Sequence, residues 1–77
     1  ELLIYPNPMT SQATIQFDNP DENHCKLTIM DLSGKTWLTK DNITTNQITI
    51  TSDQLPPGIY LIQIIGAEYA TGKIIVH

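Results

Sequence analysis

Arginine is absent from this 77-residue sequence, and four lysines are set against eight carboxylates, which gives a net charge of −4. The lysines (Lys26, Lys35, Lys40 and Lys73) are scattered along the chain. Binding to nucleic acid needs clustered cations that displace counterions from phosphates, and anionic membranes attract basic segments. We therefore expect neither partner. The chain also lacks a run of ~18 apolar residues, so we expect no membrane insertion.

Cysteine is scarce as well, because Cys25 is the single one in the sequence. A lone thiol cannot form an intrachain disulfide. Cys25 shares an alternating apolar pattern with Leu27 and Ile29, which predicts a small buried hydrophobic side chain. A reactive or metal-bound thiol is the alternative.

Groups of residues that could perform catalysis are missing. His24 and His77 are the only histidines, and neighbours on a strand such as His24 and Cys25 point to opposite faces. A nucleophile needs its base within hydrogen-bond reach, and zinc needs three or four ligands. We therefore predict no enzyme, no catalytic residue, no metal site and no cofactor.

The length permits a single domain, which we place at residues 1–77. A core of this size supplies only about 3–5 kcal/mol of stability. The chain begins with Glu1 and carries no basic, apolar leader. We interpret it as a piece of a longer protein.

Short β-rich runs recur along the chain and are separated by turn residues. This spacing predicts an all-β, immunoglobulin-like antiparallel β-sandwich of about seven short strands. The expected strands are 2–5, 13–17, 25–32, 36–40, 47–51, 59–65 and 69–76. The run 59–65 is the most apolar, so we expect a central strand buried on both faces or nearly so.

Two polar features admit alternatives. The loop 18–23 is rich in oxygen ligands and is a candidate calcium site, although its Asp and Asn residues suit ordinary turn chemistry better. Trp37, Tyr60 and Tyr69 offer aromatic rings for stacking on sugars, but a core or cross-strand role suits such rings better.

Four motifs stand in a definite order. Y-P-N-P occupies 5–8, D-L-S-G-K occupies 31–35, L-P-P-G-I-Y occupies 55–60, and G-K-I-I-V occupies 72–76. In this order, over essentially the whole chain, they resemble the type A C-terminal sorting domain of the type IX (Por) secretion system. The resemblance selects the following candidate recognition residues: Pro6, Asn7, Pro8, Asp31, Gly34, Lys35, Gly58, Tyr60, Gly72 and Lys73.

The resemblance implies a role as an address. Such domains end cargo proteins that enter the periplasm through an ordinary signal peptide. Outer-membrane components of the type IX system then recognise the folded domain and translocate the covalently linked cargo. A sortase-like protease often removes the domain, and the cargo is secreted or held at the cell surface. The alternatives are a carbohydrate-binding or adhesive module of a multidomain secreted enzyme, and a structural spacer.

The motifs also carry structural expectations. Pro6 and Pro8 lack amide donors, so pairing is expected to end there in a stiff lead-in that separates the domain from what precedes it. Tyr60 is in phase with inward-facing residues, so its ring is expected to pack inward with the hydroxyl bonded at the rim. Gly72 is a candidate β-bulge. The last strand, 72–77, is a candidate edge for strand addition, with Lys73 as a guard against aggregation or a receptor contact.

Overall fold

Alternating apolar and polar side chains form seven strands in the computed structural model, which describes residues 2–19, 21–66 and 69–77. The strands are β1 Leu2–Tyr5, β2 Gln12–Phe17, β3 Cys25–Asp31, β4 Thr36–Ile43, β5 Gln47–Thr51, β6 Gly58–Ile65 and β7 Tyr69–Val76. No helix occurs within the described ranges. Accordingly, none long and apolar enough to cross a membrane is found there.

The strands form two antiparallel sheets, one of three strands in the order β1-β2-β5 and one of four in the order β4-β3-β6-β7. This arrangement confirms the predicted immunoglobulin-like sandwich. Inward-facing side chains of both sheets form one core, which contains Ala13, Ile15, Phe17, Cys25, Leu27, Ile29, Ile48, Ile50, Tyr60, Ile62, Ile64, Ile74 and Val76. Cys25 is buried and free, as its alternating neighbours predicted.

Met9 and Leu55 complete this core from outside the strands, and both are almost fully buried. Met9 forms a parallel bridge with Val76 of β7. The chain therefore leaves the three-stranded sheet after β1 and joins the four-stranded sheet at Met9. The Y-P-N-P segment is thus a crossing between the two sheets. The expected lead-in ahead of the domain is wrong, because β1 precedes the prolines and is paired with β2.

β4 is longer than predicted. It continues through Asp41 and Asn42 to Ile43, which pairs with Cys25. Two register shifts in the pairing of β3 with β4 accommodate extra residues, and Asn42 adopts a positive φ of 57°. Asp41 and Asn42, which lie beyond the predicted end of the strand at residue 40, are therefore part of a bulged edge strand.

β6 is buried on one face only, so the prediction of burial on both faces is wrong. Ile59, Leu61 and Ile65 are 41%, 39% and 46% exposed, whereas the alternating residues Tyr60, Ile62 and Ile64 are buried. The reason is architectural, since a two-layer sandwich covers each sheet on one side only.

Gly72 pairs with Ile62 in unbroken register, so no bulge occurs there. Its lack of a side chain serves packing between the sheets. A Cβ at this position would lie 2.9 Å from Cδ1 of Ile4 and 3.1 Å from Cδ1 of Leu2. Any larger residue would push β1 away from β7.

Candidate recognition site

The turn between β3 and β4 is built by its own backbone. The Gly34 amide donates to the Asp31 carbonyl (3.0 Å), and the Asp31 amide donates to the Lys35 carbonyl (2.9 Å). Gly34 has a φ of +93°, a conformation that residues with a Cβ adopt at a cost. The hairpin turn predicted at 31–35 is confirmed.

The Asp31 carboxylate organises this turn. Its Oδ1 accepts from the Ser33 amide (2.9 Å), the Ser33 hydroxyl (2.6 Å) and the Lys35 amide (3.0 Å). Its Oδ2 accepts from Nε1 of Trp37 (2.9 Å). These donors, led by the Ser33 hydroxyl and the Trp37 indole, lower the pKa of Asp31 to about 2. The group is therefore a structural anion and lacks the raised pKa of a general acid.

Trp37 reaches Asp31 because of a bulge. The pairing shifts from Ile29–Leu38 to Met30–Thr36, which leaves Trp37 as the extra residue of β4. Its ring meets that of Tyr60 edge-on, with centroids 6.3 Å apart. Nζ of Lys35 lies 4.1 Å from the centroid of the indole. With contacts to Lys35 and Tyr60, Trp37 is a cross-strand aromatic, which was one of its two predicted roles.

Tyr60 lies on β6 as the cross-strand partner of Asp31, the first residue of the 31–35 turn. Its ring is buried and its hydroxyl donates to the Pro56 carbonyl four residues upstream. Burial first, and the nearby Asp31 carboxylate second, raise the pKa of this hydroxyl above its ordinary value. The phenol therefore stays protonated and keeps its donor. This geometry confirms the inward ring and rim-bonded hydroxyl, and it is the tyrosine corner found in immunoglobulin-like domains.

The two central motifs meet in one open groove of about 520 Å³. Its walls are formed by the start of the 31–35 turn, by Trp37 and by the segment that leads into and begins β6. The lining residues are Asp31, Leu32, Trp37, Pro56, Pro57, Gly58, Ile59 and Tyr60. The surface is mainly apolar, and the polar atoms of Asp31 and Tyr60 are already bonded within the domain.

The first and last motifs meet on the outer edge of β7. Nδ2 of Asn7 donates to the Lys73 carbonyl, and Oδ1 of Asn7 accepts from the Ile75 amide, both at 3.0 Å. The Met9 amide then donates to the Ile75 carbonyl (2.7 Å), and the His77 amide donates to the Met9 carbonyl (2.9 Å). We call these two residues, Asn7 and Met9, the clasp.

The clasp corrects the expectation that 72–77 is an open edge for strand addition. From the Lys73 carbonyl to the His77 amide, the outward backbone groups already have partners. Asn7 supplies through its side chain the donor and acceptor that a neighbouring strand would offer. A charged Lys73 is therefore not required to prevent aggregation through this part of the β7 edge.

The candidate recognition residues thus fall into two groups. Asp31, Gly58 and Tyr60 line the groove, and Gly34 and Lys35 belong to the adjoining turn. Pro6, Asn7, Pro8, Gly72 and Lys73 lie at the β7 edge. Asp31 pairs with Tyr60, and Tyr60 pairs with Ile74. Ile74 lies between Lys73 and Ile75, the two residues that Asn7 bonds. A row of paired residues across the four-stranded sheet therefore connects the two groups. That these residues contact a receptor remains a prediction.

The loop 18–23 is described at residues 18, 19 and 21–23, and the hydrogen bonds between Asn19 and Asn23 are those of a turn. Asn19 is buried, and its Nδ2 donates to the carbonyls of Asn23 and Thr45 while its Oδ1 accepts from the Asn23 amide. In the described part of the chain, no group of three or more His, Cys, Asp or Glu residues lies together. Sequence reasoning missed this role of Asn19, because Thr45 lies 26 residues away and nothing local marks the contact.

The Asp31 network predicts a pH dependence. A carboxylate whose pKa falls from 3.8 to about 2 on folding stabilises the domain fully above about pH 4. That stabilisation declines as the pH falls toward about 2 and is nearly lost below it. We expect Asp31→Asn to be less stable than the parent in urea unfolding at pH 7, with a gap that narrows between about pH 4 and pH 2. A gap that is constant over this range would contradict the network.

Together, the sandwich, the tyrosine corner and the self-satisfied polar groups define a small immunoglobulin-like module. The sequence model described as "Secretion system C-terminal sorting domain" matches residues 3–77. The chain therefore belongs to the family of secretion system C-terminal sorting domains.

A solved structure supports the fold. A DUF3244 family protein from Bacteroides vulgatus, described as having an immunoglobulin-like β-sandwich fold, superposes with a TM-score of 0.75 at 20% identity. The match covers 96% of this chain and 82% of that chain. No curated protein sequence matches significantly.

Family membership gives the domain the role of a type IX C-terminal sorting signal. It implies interaction with the secretion machinery and a protein that is secreted or displayed at the cell surface. The family and the fold together suggest a non-catalytic module.

Proposed function

We propose that the domain is the terminal address of a longer secreted precursor and spans residues 1–77. Outer-membrane components of the type IX system recognise it in folded form after the precursor has reached the periplasm. They translocate the linked cargo, and a sortase-like protease then removes the domain. The observation that carries this proposal is the family match over residues 3–77.

The polar groups of the motifs bond within the domain, which favours recognition of its folded surface over recognition of an unfolded peptide. Asn7 and Asp31 direct their polar atoms to partners within the domain, and Tyr60 does the same. These residues therefore hold β7 and the groove in place. The groove and the flanking β7 edge are our candidates for the surface that the machinery reads.

The test is a reporter fusion. Residues 1–77 are joined to the C-terminus of a reporter that carries a signal peptide, in a type IX-competent strain. We expect the reporter in the medium or on the cell surface, and we expect it to stay in the periplasm in a strain without the secretion apparatus. Export that is equal in the two strains, or retention in both, would overturn the proposal.

The cleavage step needs its own measurement. We expect the exported reporter to lose the domain, as seen by a smaller mass on immunoblots, and to keep it when the active-site cysteine of the sortase-like protease is replaced. An exported reporter of full length in both strains would remove the protease from the proposal.

Deleting residues 72–77 would not test recognition of the last motif, because the deletion also removes the buried Ile74 and Val76 from the core.

A further inference from the structure

Strand addition is restricted at three of the sheet edges, those formed by β7, β4 and β5. The clasp bonds the β7 edge from Lys73 to His77. The β4 edge is interrupted by two register shifts, and bulges of this kind hinder edge-to-edge pairing.

The β5 edge is occupied at both ends. The Thr51 amide donates to Oε1 of Gln54, and the Gln54 amide donates to the Thr51 carbonyl. At the other end, the Thr45 hydroxyl donates to the Gln47 carbonyl. A partner that added a strand at either place would first have to break these bonds, so sheet faces and loops are the more accessible surfaces.

The outer faces of the two sheets differ in character. β2 and β5 direct only glutamine and threonine side chains outward. β6 instead directs Ile59, Leu61 and Ile65 outward, each about two-fifths exposed or more. A strand with one face in solvent normally carries polar residues there. β6 departs from this pattern, as Leu3 and Tyr5 of β1 also do on the other sheet.

Ile59 and Leu61 lie at one end of the four-stranded sheet, whereas Ile65 pairs with Tyr69 at the other end. Ile59 pairs with Ile75, and Leu61 pairs with Met30 on one side and Lys73 on the other. We define the outer patch as Met30, Ile59, Leu61, Lys73 and Ile75. Its charged member, Lys73, is exposed and has the sign opposite to the net charge of the chain.

We propose that the outer patch docks onto a protein surface with an apolar centre and a carboxylate that meets Lys73. This rests on the proposed function, and the partner is a protein component of the secretion machinery. Interfaces commonly combine an apolar core with charges that set orientation. A second copy of the domain fits poorly, because the same patch on that copy contains no carboxylate that could meet Lys73. An anionic membrane fits poorly as well, since one lysine on an acidic domain attracts it weakly.

The test uses the reporter fusion and two patch variants. One is the triple substitution Ile59→Thr, Leu61→Thr and Ile75→Thr, which places threonine, a residue of high strand propensity, at each position. The other is Lys73→Glu. We expect each to lower export of the reporter by about tenfold or more, a loss that corresponds to one power of ten in affinity. Matched controls are Leu3→Thr on the outer face of the other sheet and Lys26→Glu at the far end of the same face, and both should export within about twofold of the parent.

Purified variants are compared in thermal unfolding, so that loss of fold is not mistaken for loss of docking. If the triple variant unfolds, the export of the Lys73→Glu fusion alone tests whether the outer patch is a docking surface. A parent fusion that is not exported defeats the proposed function. An exported parent with equally exported, folded patch variants defeats only the proposal that the outer patch is a docking surface.

Two further results would overturn the proposal that the partner of the outer patch is a protein of the secretion machinery. These are binding of the purified domain to phosphatidylglycerol vesicles that Lys73→Glu abolishes, and a dimer in sedimentation equilibrium that the triple variant abolishes.

Discussion

Replacement of Leu55 by alanine is expected to unfold most of the domain. Leu55 is 1% exposed and lies between β5 and β6, where it fills the core from a segment outside the strands. Truncating a buried leucine costs about 2–5 kcal/mol, because transfer energy is lost and a cavity is left. A core of this size provides about 3–5 kcal/mol in total. The substitution therefore removes most of the stability margin.

Urea unfolding followed by the fluorescence of Trp37 measures this loss. The matched control is Leu3→Ala, which deletes the same atoms from a side chain that is 57% exposed. We expect the control to change the free energy of unfolding by less than about 0.5 kcal/mol. Equal effects of the two substitutions would show that Leu55 does not serve the core.

Replacement of Asn7 by alanine is expected to open the β7 edge. The substitution removes the donor to the Lys73 carbonyl and the acceptor for the Ile75 amide. We expect a loss of about 1–3 kcal/mol, since two backbone groups lose their partners. The exposed edge should also promote association between copies at high concentration.

Both effects can be measured on the purified domain, by urea unfolding and by sedimentation velocity over a range of concentrations. Asn7→Asp keeps the acceptor for Ile75 but loses the donor to Lys73, so its stability should lie between those of the parent and Asn7→Ala. If Asn7→Ala is as stable and as monomeric as the parent, the clasp contributes nothing to the edge.

The features that the sequence predicted well are local ones. The bounds of β1, β5 and β7 were predicted correctly, because alternation of apolar and polar residues shows directly which side chains face a core. The turn at 31–35 was also predicted, since Asp31 finds its partners within six residues at Ser33, Lys35 and Trp37. A short chain segment contains all of this information.

The features that escaped prediction depend on residues distant in sequence. Asn7 and Lys73 are 66 positions apart, so the motif at 5–8 appeared to be a lead-in and the last strand appeared to have an open edge. The length of β4 was underestimated for a related reason. The bulge at Asn42 is tolerated only because Ile43 beyond it pairs with Cys25.

By itself, the sequence determined an all-β sandwich, the places of its strands and the resemblance to a family of secretion signals, because alternation and motif order are properties of a linear chain. The tertiary structure alone decided which motifs meet, since the groove and the clasp each unite segments that no local pattern connects. It also decided that Ile59 and Leu61 face solvent. An apolar run specifies burial on two faces only when layers cover both, and here the sandwich covers one.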